Sequence, residues 1–177
     1  EADSTLLTPA GSEISVAATK SFSAQVFGLL HIVIQIARAK KLSTKWHTQL
    51  TSKLTNLPDI ITDYLALAQT IQDKCVNEFI DVEQCLFFAR GQLYPIMLEA
   101  ALKLKEVAYI HVQAYPGGEL KHGPIALIEK GCVVVALITA NDLADKFYAN
   151  LESVTARGAK LILFADAGVK IPHKLDA

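Results

Sequence analysis

Cys85-Leu86-Phe87-Phe88-Ala89 is a short apolar run followed at once by Arg90-Gly91-Gln92 and then by a helical pattern over residues 94–109. A strand that is continuously apolar, instead of alternating, is one buried on both faces. Two more such runs follow, Cys132-Val133-Val134-Val135-Ala136-Leu137-Ile138 and Leu161-Ile162-Leu163-Phe164-Ala165. Between them residues 142–156 read as a helix, closed by Arg157-Gly158. Short buried strands alternating with helices predict an α/β fold, a parallel sheet flanked by helices on both faces in a three-layer sandwich.

Towards the N-terminus the pattern changes. Thr5-Leu6-Leu7-Thr8 reads as a short strand stopped by Pro9-Ala10-Gly11. Val26, Leu29, Leu30, Val33 and Ile34 recur at helical spacing and predict a well-buried helix ending near Lys41. Arg38, Lys40 and Lys41 suit its C-terminus, where the helix dipole favours cations. Residues 44–80 read as two amphipathic helices, with Pro58 interrupting the pattern or starting a new turn. That stretch is polar and offers scaffold more than chemistry.

Composition removes several function classes. The 177 residues are 51% apolar and 20% charged with a net charge of -1, so there is no basic field for nucleic acid. The longest apolar stretch, residues 26–37, is interrupted by His31 and Gln35 and falls short of the roughly 20 residues of a membrane span. Cys75, Cys85 and Cys132 form no CxxC pair and suggest reduced thiols in a cytoplasmic protein. No His, Cys or acidic residues show metal-site spacing, and nothing implies a cofactor. The chain lacks an initiator Met and starts and stops abruptly, which reads as an excised piece of something longer.

The candidate chemistry sits on the helix over residues 94–109. Glu99, Lys103 and Glu106 fall within roughly one-sixth of its circumference, at spacings that let neighbours pair. Ile96, Leu102 and Ile110 flank them, and Lys105 points elsewhere. A carboxylate beside an ammonium in a partly dry groove suits proton transfer, because burial and a neighbouring cation tune the base in opposite directions. A structural ion pair is the plain alternative. The loop Tyr115-Pro116-Gly117-Gly118-Glu119-Leu120-Lys121-His122-Gly123-Pro124 sets His122, an imidazole of the kind that suits a general acid/base, within rigid punctuation. An ordinary turn with a solvated His is its alternative. His31 reads as a core histidine, and His47, His111 and His173 have no evident partners. The segment from Ala10 to Lys20 can aim backbone N–H groups at an anion, or be an ordinary N-capping turn.

Three stretches together resemble one family. Gly11-Ser12-Glu13-Ile14-Ser15-Val16-Ala17-Ala18-Thr19-Lys20 is similar to A-G-x-E-I-x-V-A-S-T-K. Tyr94-Pro95-Ile96-Met97-Leu98-Glu99-Ala100-Ala101-Leu102-Lys103-Leu104-Lys105-Glu106 is similar to Y-P-x-A-L-E-G-A-L-K-L-K-E. Gly118-Glu119-Leu120-Lys121-His122-Gly123-Pro124 matches G-E-L-K-H-G-P. They resemble the isomerase half of the glutamine–fructose-6-phosphate aminotransferase (isomerising) family, whose members make glucosamine-6-phosphate at the first step towards UDP-N-acetylglucosamine.

The resemblance implies sugar isomerase (SIS) subdomains of the flavodoxin-like sandwich type. Residues 1–41 would be the C-terminal part of a first one and residues 42–177 most of a second, incomplete one. It implies that Glu106 moves a proton between C1 and C2 of the sugar, that Lys103 assists at the sugar oxygens, and that His122 opens the ring. In this family that His reaches the partner subunit's site, so a homodimer is implied. Val16 and Ala18 align with residues lining the sugar pocket. The implied partners are a sugar phosphate and a glutaminase domain of the same parent chain, with no nucleic acid or membrane. There are departures. Ala18 stands where the family usually has Ser. The phosphate-binding S-Q-S-G-E-T loop, the C-terminal Lys that would hold the sugar as a Schiff base, and the glutaminase Cys do not occur in these residues. The chain alone is therefore expected not to turn over fructose-6-phosphate. Another phosphosugar isomerase or deglycase, or a non-catalytic sugar-phosphate sensor, are the alternative readings.

Overall fold

A computed structural model describes residues 2–42, 44–141 and 143–175. The chain divides into two compact units, residues 1–71 and 72–177.

The first unit holds α1 (Lys20–Ala39) and α2 (Thr44–Ala66). α1 forms where the apolar periodicity predicts it, but it is not well buried. Ile34 and Ala37 are buried, while Val26, Leu29, Val33 and Ile36 stay exposed. The spacing identifies an apolar face without saying what covers it. α1 also runs beyond the continuous apolar stretch. At 20 residues and mean hydropathy 1.4 it is long and apolar enough to cross a membrane, by length and composition alone. The length argument against a span therefore does not hold for the helix as folded. His31 is exposed, and its Nε2 lies 3.3 Å from Gln35 Nε2 one turn on. The buried histidine of this unit is His47, packed edge-on against Trp46.

Two further expectations fail here. Residues 5–8 pair with no other strand, and Leu6 and Leu7 are exposed, since a β-prone tetrapeptide without a partner backbone cannot form a ladder. Pro58 lies inside α2 and does not end it. Its cost is one missing N–H, and its own carbonyl accepts from the Thr62 hydroxyl at 2.8 Å.

α3 (Ala68–Phe79) leads into the second unit. There β1 (Gln84–Ala89), β2 (His111–Pro116), β3 (Val133–Ile138) and β4 (Lys160–Ala165) form one parallel sheet in the order β2-β1-β3-β4. α4 (Tyr94–Ala108) connects β1 to β2, and α5 (Ala144–Thr155) connects β3 to β4. The expected start of α5 at Asp142 lies outside the described residues.

The central strands explain the continuous apolar runs. Leu86, Phe88, Val134, Ala136 and Ile138 pack with Phe147, Leu151 and Val154 of α5 on one face. Cys85, Phe87, Ala89, Val133 and Val135 pack with Met97 and Ala101 of α4 on the other. This is the three-layer sandwich the sequence predicts. Fully burying one such Leu, Phe or Val contributes about 1.5–3 kcal/mol. β4 departs from the prediction, being an edge strand that is half-buried to exposed, because one of its sides has no neighbour. β2 has no counterpart in the sequence reading. Val112 and Ala114 face the core while His111 and Gln113 face out, so its alternation is short and broken by small residues.

Candidate active site

The switch in strand direction of progression falls between β1 and β3, and in open parallel sheets ligands gather at the carboxyl ends of such strands. At the end of β1, Arg90 is extended and Gly91 takes φ 57°, turning the chain through a short 3-10 segment (Gly91–Leu93) into α4. Pro95 sits at the start of α4, where its missing N–H costs nothing. Met97 and Ala101, one turn apart, anchor α4 on the sheet. At 100° per residue that places Glu99, Lys103 and Glu106 on the opposite side of the helix, facing away from the sheet.

The three charges meet as their spacing predicts. Lys103 Nζ lies 2.7 Å from Glu106 Oε2 and 3.4 Å from Glu99 Oε1, with all three side chains between 23% and 31% exposed. The flanking apolar residues do not enclose them. Ile96 and Leu102 are exposed. Ile110 is buried elsewhere, because Tyr109 adopts a left-handed conformation and ends the helix first. The Glu106 hydrogen bond, aided by the charges of Glu106 and Glu99 and opposed by desolvation, raises the Lys103 pKa. Lys103 is thereby held as the cation between two carboxylates. Glu106 keeps Oε1 without a protein partner among the described residues, so one oxygen is oriented and the other is open to a proton.

His122 ends the 3-10 segment Leu120–His122 and is exposed. No hydrogen bond or ion pair joins it to the charged stripe among the described residues. The loop bearing it is nonetheless firmly rooted. Leu120 is buried in the core on the α5 face. The Gly117 N–H donates to Ala89 O at 2.7 Å, and its carbonyl accepts from the buried Asn150 side chain and from Arg90 Nη2. Gly117 is required by close approach, since a Cβ there would lie 2.6 Å from the Phe147 ring. Gly123, at φ 138°, is required by its backbone. Sequence reasoning did not find Arg90 or Asn150, whose roles depend on contacts 27 and 33 residues away.

Val16 and Ala18 lie in the first unit, both exposed, on either side of the buried Ala17. The N–H groups at the start of α1 face no open anion site: the Glu13 carboxylate accepts from Thr19 and Ser21 there. The cap is this carboxylate, with no cap bond from Thr19 itself.

The SIS domain family matches residues 78–170. The chain is 44% identical to a glutamine--fructose-6-phosphate aminotransferase [isomerizing] of Pseudomonas aeruginosa over 172 residues, covering 97% of this chain and 28% of that protein. It is similar to the C-terminal domain of glucosamine-fructose-6-phosphate aminotransferase from Francisella tularensis, with TM-score 0.84 and 44% identity over 89% of this chain and 44% of that one. A glucosamine-6-phosphate deaminase from Thermotoga maritima shares the fold, with TM-score 0.65 and 22% identity over 86% of this chain and 44% of that one.

Proposed function

The chain belongs to the SIS domain family, and from that premise we propose that it is part of the isomerase half of a glutamine–fructose-6-phosphate aminotransferase (isomerising), the enzyme that makes glucosamine-6-phosphate. Residues 1–41 would close a first SIS subdomain and residues 42–177 form most of a second. The parent is a cytoplasmic homodimer whose glutaminase domain lies elsewhere in the same chain.

The observation that carries this reading is the Glu106–Lys103 pair at 2.7 Å, with one carboxylate oxygen free. Turning a ketose into an aldose needs one base that takes a proton from C1 and returns it to C2. Glu106 does this through Oε1. Charge develops on the sugar's heteroatoms as the proton leaves carbon, and Lys103, held protonated, opposes it. His122 of one subunit opens the ring in its partner's site, taking the anomeric proton and supplying one to the ring oxygen. Val16 and Ala18 line the sugar, where Ala18 offers no hydroxyl contact. A fold likeness alone would not separate this enzyme from other phosphosugar proteins. The motifs bearing Glu106 and His122, and the 44% identity, favour it.

Subunit mixing tests both the reaction and the sharing of His122. Full-length Glu106→Gln and His122→Ala enzymes should each be inactive on fructose-6-phosphate and glutamine. Refolded as an equal mixture, they should regain roughly one quarter of wild-type turnover, since half the dimers then hold one intact site. A mixture as inactive as its components would place His122 in its own subunit's site. A wild-type enzyme without turnover would overturn the proposal altogether.

A further inference from the structure

We propose that Glu13 is a positioning residue for the sugar site, clamping the loop that presents Val16 and Ala18; this rests on the functional reading above. The clamp closes over residues 14–18. Glu13 Oε2 accepts from the Ser21 hydroxyl at 2.6 Å, the Ser21 N–H at 3.2 Å and the Thr19 N–H at 3.3 Å. Its Oε1 accepts from the Thr19 hydroxyl at 3.4 Å.

Within the loop, Ser15 Oγ accepts from the Ala17 N–H at 3.2 Å. Ala17 turns inward at 2% exposure, while Ile14 and Val16 turn outward at 94% and 93%. An isolated loop of small residues has many conformations of similar energy. One carboxylate bonded to four donors at the loop's far end removes most of them. It also satisfies N–H groups that the first turn of α1 would otherwise leave without partners. Its negative charge suits the positive end of the helix dipole. The Ser21 hydroxyl and N–H keep the Glu13 carboxyl ionised, below its ordinary pKa, so the clamp is closed near neutral pH.

Glu13 acts on the sugar through the loop over residues 14–18, not as the base. Its loss should weaken sugar binding and leave the proton-transfer step intact. A residue that mattered for folding alone would lower the amount of active enzyme, and so kcat, without changing KM.

The test is steady-state kinetics of the full-length enzyme. For Glu13→Ala we expect the KM for fructose-6-phosphate to rise roughly tenfold with kcat within about twofold of wild type. Glu13→Gln, which keeps one acceptor, should fall between, and Ser21→Ala, which removes one donor, should raise KM about threefold. If Glu13→Ala does not fold, the other two variants decide the matter. Unchanged KM in a fully active background, or a fall in kcat alone, overturns the clamp and leaves the enzymatic reading standing. An inactive wild-type enzyme overturns both.

Discussion

The Glu13 carboxylate at the start of α1 and the Lys103 ammonium on α4 are each stabilised in their charged form by partners that the unfolded chain lacks. Their linkages to pH have opposite signs. Glu13 is depressed below 4.5, chiefly by the Ser21 hydroxyl, so its stabilisation is present above that pH and is lost as pH falls through the folded value. Lys103 is raised above 10.5, so its contribution is present below that pH and is lost as pH rises through the folded value. Thermal melts of wild type and Glu13→Gln should differ by a constant amount from about pH 6 to 8 and converge as the solution is acidified below about 4. Curves that stay apart in acid would show that the carboxylate charge is not what holds the loop. At this scale the stripe on α4 was legible, because spacings of four and three name neighbours on a helix. The Glu13 clamp was not, because it spans six and eight residues of irregular chain, for which no fixed period exists. Exchanging His31 for His47 as the buried histidine has another origin: His31 stands in an apolar helical run, but most of that run is left exposed, so its neighbours do not bury it.

Among the elements, β1 and β3 announced themselves through buried runs, α4 through its helical pattern and α5 through the Arg157-Gly158 stop that closes it. β2 was hidden because it follows α4 after two residues and carries two buried side chains, Val112 and Ala114. Its carboxyl end matters most to the site, since it delivers Gly117 to Asn150, Arg90 and the Phe147 ring. Gly117→Ala should therefore lower stability by about 1–3 kcal/mol, because the added methyl meets a packed ring that has little room to move. Denaturant unfolding followed by circular dichroism reads this directly. A variant within about 0.5 kcal/mol of wild type would mean that the ring and loop yield freely. The fate of residues 5–8 is the converse case: strand propensity without a neighbouring backbone produced no strand.

For the molecule as a whole, the two units differ in how they bury apolar surface. The second packs both faces of its sheet, whereas α1 of the first leaves most of its apolar face exposed. The chain spans about 28% of the Pseudomonas relative, and on the proposed reading the complete reaction needs the longer protein. Isolated, these residues should show no turnover of fructose-6-phosphate. Burial pushes the Cys85 thiol up to about 12, with the Cys132 side chain adding to it. A thiol reagent at neutral pH should leave Cys85 unlabelled until the sheet unfolds, and labelling in the native state would contradict the packing of β1 between two helical layers.

The proton shuttle itself is best followed on the sugar. The full-length enzyme, given fructose-6-phosphate in deuterium oxide, can be watched by proton NMR for exchange at C1, alongside Glu106→Gln at matched sugar occupancy. Wild type should exchange, and the variant should be slower by roughly 100-fold to 10,000-fold while binding sugar with similar affinity. Exchange at the wild-type rate in Glu106→Gln would remove the carboxylate on α4 from the chemistry.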